Sequence, residues 1–426
     1  MSSFTADAAS AQPGPDWLRG LRQDAYERFA SHPLPTDAEE VWRYSRIDQL
    51  DLDAFHPLTP DVAVGHRPPG RRLEAALDAV GGHCGVAIVC DGVVTEATLD
   101  DNVAARGVVL ADLATDDRGE DVWGGVADSG TDSFTELNTA FVRGAVLLDV
   151  PDGVVVDRPI VVLHCVETEG VAVFPRTIVR LGRDSEATVV EWQASEDVVA
   201  FVDPVVELVV GEAARLGYVN VQEWGERVWQ TGYQASKVAR DATLRSSVVA
   251  LGGDYARVRT DSRLAGRGAT SHLQAVYFGG HSQMHDFRTM QDHAAPSTTS
   301  DLLFKGAVQD RAQSVYSGLI RVRKEGGGTN AFQTNRNLVL SEGARAESVP
   351  NLEIEVNDVR CSHASAVGPI DDDQRYYLES RGIPPDVAER LIVLGFFAEV
   401  LEALPTASLV GPLREALRAK FGRGPR

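Results

Sequence analysis

Only four of the 426 residues are cysteine: Cys84, Cys90, Cys165 and Cys361. None forms a Cys-x-x-Cys pair, and their spacing fits no zinc-binding module. So few cysteines in so long a chain do not make a disulfide framework, and a reducing compartment is the expectation. Positive charge is also scarce, with 41 Lys and Arg against 62 Asp and Glu and a formal net charge of −21. That balance argues against a nucleic-acid binder, which needs a basic face to neutralise phosphates, and against docking on an anionic membrane. Apolar runs such as "GVAIVC" and "AVLLDV" fall far short of the roughly 20 residues that cross a bilayer. "MSSFTADAASAQPGPDW" holds no basic residue and no apolar run, so it does not read as a signal peptide. An acidic cytoplasmic protein fits. Nucleotide and hydrolase signatures are missing too: no Walker A sequence, no GxGxxG after a predicted strand, no GxSxG and no HExxH. "KEGGGTNAF" (Lys324 to Phe332) is glycine-rich but has no helix after it, so it reads as a hairpin or solenoid loop.

What is present falls into three textures: a mainly helical region over 1–130, a β core over 131–370 and a helical domain over 371–426. In the first, "DWLRGLRQDAYERFASHPLP" sets Trp17, Leu21, Ala25 and Phe29 on one helical face and stops before Pro33. "TDAEEVWRYSRI" predicts a second helix with Thr36 or Asp37 as N-cap. Between about 80 and 125, pieces such as "GVAIVCDGVVTEATL" read as strands mixed with helical turns. The middle is rich in β-branched residues that alternate with polar ones, and helical patterns are nearly absent. A doubly wound parallel sheet is excluded, because each of its crossovers needs a helix. A turn of small polar residues, an inward Ala and a strand recur in "GRDSEATVV", "GEAARLGYV", "GRGATSHLQAV", "QDRAQSVYSGLI" and "SEGARAESV". Such units suggest a solenoid or β-helix, with a two-sheet sandwich as the alternative. In the third texture, "PPDVAERLIVLGFFAEVLEALP" starts at Pro384 or Pro385 and ends at Pro405, and "PLREALRAKFG" adds a short helix with Gly422 as C′ residue.

Among groups able to carry chemistry, His281, His285 and His293 cluster in sequence but do not share one face, so they read as satisfied structural histidines. "IDDDQ" (Ile370 to Gln374) reads as a helix start. "RCSHASAVG" places Cys361 and His363 two residues apart, on one face of a strand. That pair can ligate a metal, pair a nucleophile with a base, or simply pack. Two ligands are too few for a closed metal site. No other cysteine lies near in sequence, so a second chain is the natural source of more.

"QDHAAPSTTSDLLFKGAVQDRAQSVYSGLIRV" and "PNLEIEVNDVRCSHASAVGPIDDDQRYYLESRGI" resemble the SufB/SufD family of iron–sulfur cluster assembly proteins. The matching positions are Asp292, His293, Pro296, Ser300, Lys305, Gly318 and Ile320 to Val322, followed by the Leu-Glu-Ile, Cys-Ser-His, Tyr-Leu and Ser-Arg-Gly-Ile segments. "PLPTDAEEVWRYSRI" resembles the start of the SufD branch. SufB-type chains carry Glu-His-Glu where this chain has Ser362-His363-Ala364, and a cysteine where it has Ala344. The pattern is therefore that of the SufD branch, with Ala364 standing where the family usually has Gly.

The resemblance implies a mainly β chain: a right-handed parallel β-helix flanked by N-terminal and C-terminal helical domains. It implies a non-enzymatic scaffold that pairs with a SufB-like chain and docks a SufC-like ATPase, which explains the missing Walker motif. His363, with Cys361, would meet a transient iron or Fe–S cluster at the partner interface, with no cofactor bound to this chain alone. Arg381, Gly382, Ile383, Gly395 and Phe396 would lie on the ATPase-docking surface. A homodimer in isolation, a SufB-like primary scaffold and a β-helix carbohydrate-active enzyme are the alternatives. The last needs clustered acids along a groove, and no such spaced set is found.

Overall fold

The computed structural model describes residues 3–59, 70–115, 118–127 and 132–421. Its body is a β-solenoid of about 8 turns, and 42% of the chain is strand. Successive strands alternate between two sheets. One has twelve strands and ends at Arg345–Ile354; the other has ten and ends at Val359–Gly368. Neighbours within each sheet run parallel and in register through the body, as in Tyr255–Leu264 against Met284–His293.

The recurring sequence unit is the corner of this coil. Ala187, Ala214, Ala269, Ala312 and Ala344 are all buried at the turns. Most of these corners bend through a residue in the left-handed region, including Asp184, Ala213, Asp241, Ser297 and Asp310. Amides there donate to the next rung, as Asp184 N–H does to Glu212 O at 2.9 Å and Asp241 N–H to Arg267 O at 2.9 Å. The stack is thus hydrogen-bonded at its corners as well as along its strands. "KEGGGTNAF" is one such solenoid loop, joining Gln313–Val322 to Thr329–Val339.

The strands read between 80 and 125 are present as Gly85–Cys90, Val93–Leu99 and Val109–Asp112, and all three join the solenoid sheets. Helix Asp16–Ser31 forms, but it buries Leu18, Arg22 and Ala25 rather than the face running through Trp17 and Leu21. Arg22 is the reason. Its guanidinium donates to Val142 O, Gln12 O and Pro13 O, stitching the helix to the end of helix Ser133–Phe141. Burial pulls its pKa down to about 10.

"TDAEEVWRYSRI" contains a single 3-10 turn, Glu40–Trp42, in place of the expected helix. Its side chains are committed to tertiary contacts instead. Trp42 lies under the Arg257 guanidinium at 3.6 Å, and Arg46 pairs with Asp254 at 2.9 Å. Arg257 and Arg288 donate to Val41 O and Arg43 O. Tyr44 takes φ +66 between them, which no helix permits.

Helices Arg71–Val80, Pro385–Glu402 and Val410–Phe421 pack on the outer face of the ten-strand sheet around Trp192, Phe278, Phe397 and Leu401. Pro384 is the N-cap of the long helix, whose last residue is Glu402. Where that helix ends, Pro405 lies so close to Gly217 that a Cβ would sit 2.7 Å from it. Gly422 lies outside the described residues.

Candidate functional site

Cys361 and His363 sit on strand Val359–Gly368, in register with Ala331 and Gln333 of strand Thr329–Val339. Ala331 and Gln333 are buried in the solenoid interior. By the two-residue alternation of a strand, Cys361, His363, Ser365 and Val367 therefore face inward as well. Yet His363 and Ser365 are exposed, and Val367 is 44% exposed. The same holds on the facing sheet. Leu352 and Ile354 continue the buried row through Ile320 and Val322, but are 37% and 42% exposed. Among the described residues no further rung covers them. Ser365 Oγ donates to Ser348 Oγ at 2.7 Å across this open end.

The site is thus a ring of inward-facing side chains laid open. Cys361 is half-buried beside Ile320, Val322 and Ala331. Burial pushes its thiol up, with the Ala331 backbone working the other way. Metal binding must therefore remove a proton from it. Among the described residues no group of three or more His, Cys, Asp or Glu converges to hold a metal ion. Cys361 and His363 supply at most two donors. Ala364 keeps ordinary strand geometry in register with Thr334, so its methyl group is tolerated. Ala344 is buried against Val308 and Ala312.

Of the other residues of the expected set, Arg381, Gly382 and Ile383 lie between helices Asp372–Ser380 and Pro385–Glu402, and Gly395 and Phe396 on the latter. Gly382 takes φ +84 just past helix Asp372–Ser380, and its N–H donates to Glu379 O at 2.9 Å. Only glycine adopts that backbone at little cost. Arg381 and Gly382 are exposed, Arg381 lies over Tyr377, and Ile383 is half-buried. Gly395 is exposed with open space around it, whereas Phe396 is half-buried. Lys305 explains the latter: it pairs with Glu399 at 2.6 Å, donates to Phe396 O and lies 4.8 Å from the Phe396 ring. Helix Asp372–Ser380 buries none of its residues, and Tyr376 is 73% exposed. Asp371 caps it by accepting from Asp373 N and Gln374 N, as "IDDDQ" suggests.

Most remaining motif residues are structural. His293 is buried, and its ring nitrogens meet Thr298 Oγ1 and Ser300 Oγ at 2.8 and 2.9 Å. Asp292 takes a two-pronged ion pair from Arg323. His285 meets Gly252 O at 3.1 Å. Burial lowers the two histidines to about 4 and about 3, keeping both neutral. At Gly318 a side chain would collide with the Tyr316 hydroxyl and the Gln333 amide.

Residues 164–396 match the model of the SufBD core domain of SUF-system FeS cluster assembly, and residues 85–162 match the SufBD N-terminal region. The chain belongs to the SufBD family. A SufBD family iron–sulfur cluster assembly protein of Mycobacterium tuberculosis is 36% identical over 421 residues, covering 94% of this chain and 93% of its own. SufD of Escherichia coli is 29% identical, covering 92% and 89%. SufD of Bacillus subtilis is 27% identical, covering 95% and 94%. No described helix of this SufBD chain is long and apolar enough to cross a membrane.

Two features escape sequence reasoning. Cys90 and Cys165 lie 75 residues apart yet are register partners on adjacent strands, and they are disulfide-bonded. Lys420 reaches from the last helix into the corner carbonyls Leu251 O and Phe278 O and to Gln283 Oε1. Neither carries a local signal, because the length of each rung decides which residues meet.

Proposed function

We propose that this chain is the SufD-type, non-catalytic scaffold subunit of a cytoplasmic SufB–SufC–SufD complex that assembles iron–sulfur clusters. The observation that carries this reading is the open end of the solenoid. Two parallel strands of ten residues each, Arg345–Ile354 and Val359–Gly368, have a neighbour on one side only. Exposed edges of that length are templates for another strand. A chain with the same solenoid end supplies strands, an apolar face for Leu352, Ile354 and Val367, and further cluster ligands. The iron or nascent cluster is cargo here. His363 offers it an exposed imidazole and Cys361 a thiol that ionises on binding, both suited to iron. The SufC-like ATPase docks on the C-terminal helices, where Tyr376, Tyr377, Arg381 and Leu391 form an uncovered surface.

The test is capture of the tagged chain from its native cytosol with identification of what co-purifies. A SufB-like chain and a Walker-containing ATPase are expected; neither, from folded protein at near-native salt, overturns the reading. In the reconstituted complex, His363→Ala lowers cluster formation at least about tenfold if the imidazole is a ligand, the scale of losing one metal contact. Unchanged cluster yield removes the ligand role while leaving the scaffold role standing.

A further inference from the structure

On the outer face of the twelve-strand sheet, within two strands of its last strand Arg345–Ile354, lies a groove of about 610 Å³. Strands Val228–Val238, Tyr255–Leu264 and Met284–His293 floor it, each offering alternate residues. One row across the sheet reads Lys237, Arg263, Asp292 in direct register. The next reads Ala235, Asp261, Met290, and the third begins with Tyr233 and Arg259. Arg323 leans in from the far side.

The charges do not cancel. Asp261 is taken by Arg259 through bonds of 3.2 and 2.7 Å. Asp292 is taken by Arg323 at 2.7 and 2.9 Å, leaving Arg263 only a 3.8 Å approach to it. Lys237 has no carboxylate partner among the described residues. Glu355 and Glu325 also act on Arg323, but Lys237 and Arg263 are left with no close carboxylate of their own, on a chain whose net charge is −21. Like charges directly opposite one another on neighbouring strands destabilise a sheet, and Lys237 stands directly opposite Arg263. A bound dianion relieves that repulsion, and a guanidinium fork suits phosphate oxygens. The Tyr233 ring, Met290 and Ala235 add an apolar floor beside the charged row. The volume is that of a small-molecule site.

We propose that this groove binds a phosphate group, free or as the ester of a small organic molecule, between Lys237, Arg263 and Arg323. The test is calorimetric titration of the full-length chain with inorganic phosphate and, separately, with adenosine monophosphate. Saturable binding in the millimolar range or tighter is expected. The double variant Lys237→Glu/Arg263→Glu weakens it at least about tenfold, and doubling the salt weakens it further. Both side chains are exposed, so the variant keeps its fold, verified by an unchanged melting temperature. Charge reversal at Arg311, an exposed arginine outside the groove, leaves binding unchanged. Adenosine monophosphate binding about tenfold tighter than phosphate makes the ligand an ester seated on the Tyr233–Met290 floor; equal binding makes it the free ion. Absence of saturable binding by both probes, or equal binding by wild type and the double variant, overturns the proposal.

Discussion

At the end built from its first turns, the solenoid reverses strand direction in both sheets. Val93–Leu99 runs antiparallel to Gly85–Cys90, and Val109–Asp112 runs antiparallel to Ala145–Val150. Inside that end Ala87, Val89, Val103, Leu110 and Leu148 are all buried. At the other end the strands stay parallel and stop, and Leu352, Ile354 and Val367 are left in contact with solvent. Apolar side chains point inward at both ends, joined at the open one by His363, Ser365 and Ser348; what covers them differs. Repeat folds need polar or reversed terminal units to stay soluble, and this molecule has such a unit at one end only. The difference teaches that an apolar inward row stays buried only where a terminal unit covers it, and the proposed pairing rests on the end that has none among the described residues.

The strongest way to break that comparison is to place charge on the open end. Ile354→Lys with Val367→Lys removes the apolar seat while leaving a monomer whose positions there are already half in water. Burying two unpaired ammonium groups costs several kcal/mol, so affinity for the SufB-like chain is expected to fall at least about a thousandfold, roughly 4 kcal/mol. Surface-immobilised binding measurements check it; an unchanged dissociation constant places the interface elsewhere.

Next in size is one substitution made at both ends. Leu148→Ala in the closed end is expected to lose about 3 kcal/mol in urea denaturation, from lost burial and the cavity left behind. Leu352→Ala in the isolated chain is expected to change stability by less than about 0.5 kcal/mol, as exposed positions do. Equal losses mean the open end is already covered in the isolated chain, as a homodimer would cover it.

Between the ends lie His285 and His293, held neutral by burial with pKa values near 3 and 4 against about 6.5 in the unfolded chain. Their folded-state values are depressed, so the unfolded chain binds the extra protons between about pH 4 and 6.5. Stability is whole above pH 6.5 and falls as the pH drops, by up to about 1.4 kcal/mol per pH unit for each histidine. Denaturation midpoints from pH 7 to 4.5 measure the slope. His293→Gln is expected to flatten it by up to about half, and an unchanged slope removes His293 from the account.

How much of this is legible in the sequence depends on whether the signal is local. The corner unit with its inward Ala is local, and Ala187, Ala214 and Ala312 stand where it puts them. The same-face placing of Cys361 and His363 follows from strand period alone. The face of helix Asp16–Ser31 does not follow from hydropathy, because a buried arginine replaces the expected apolar residue. The Cys90–Cys165 bridge depends on register between strands whose separation is set by everything between them. Least legible is the open end. "RCSHASAVG" alternates like any covered rung, and what exposes it is the lack of a neighbour, which no local pattern encodes.

The smallest expected effect sharpens the comparison at a single atom. Ala364, where the family resemblance leads one to expect Gly, lies on the outward side of the last strand, paired with Thr334. Its φ is not positive, so nothing in the backbone calls for glycine. Ala364→Gly should therefore cost the isolated chain about 0.5 kcal/mol through backbone entropy, read as a small drop in melting temperature. A rise instead would mean that the free strand relaxes into a conformation an alanine resists. In the complex the sign tests something further. A methyl group that meets a partner backbone at this edge makes Ala364→Gly tighten pairing even as it loosens the free chain. Opposite signs in the two states place the partner against residue 364, and equal signs leave the contact to the inward row alone.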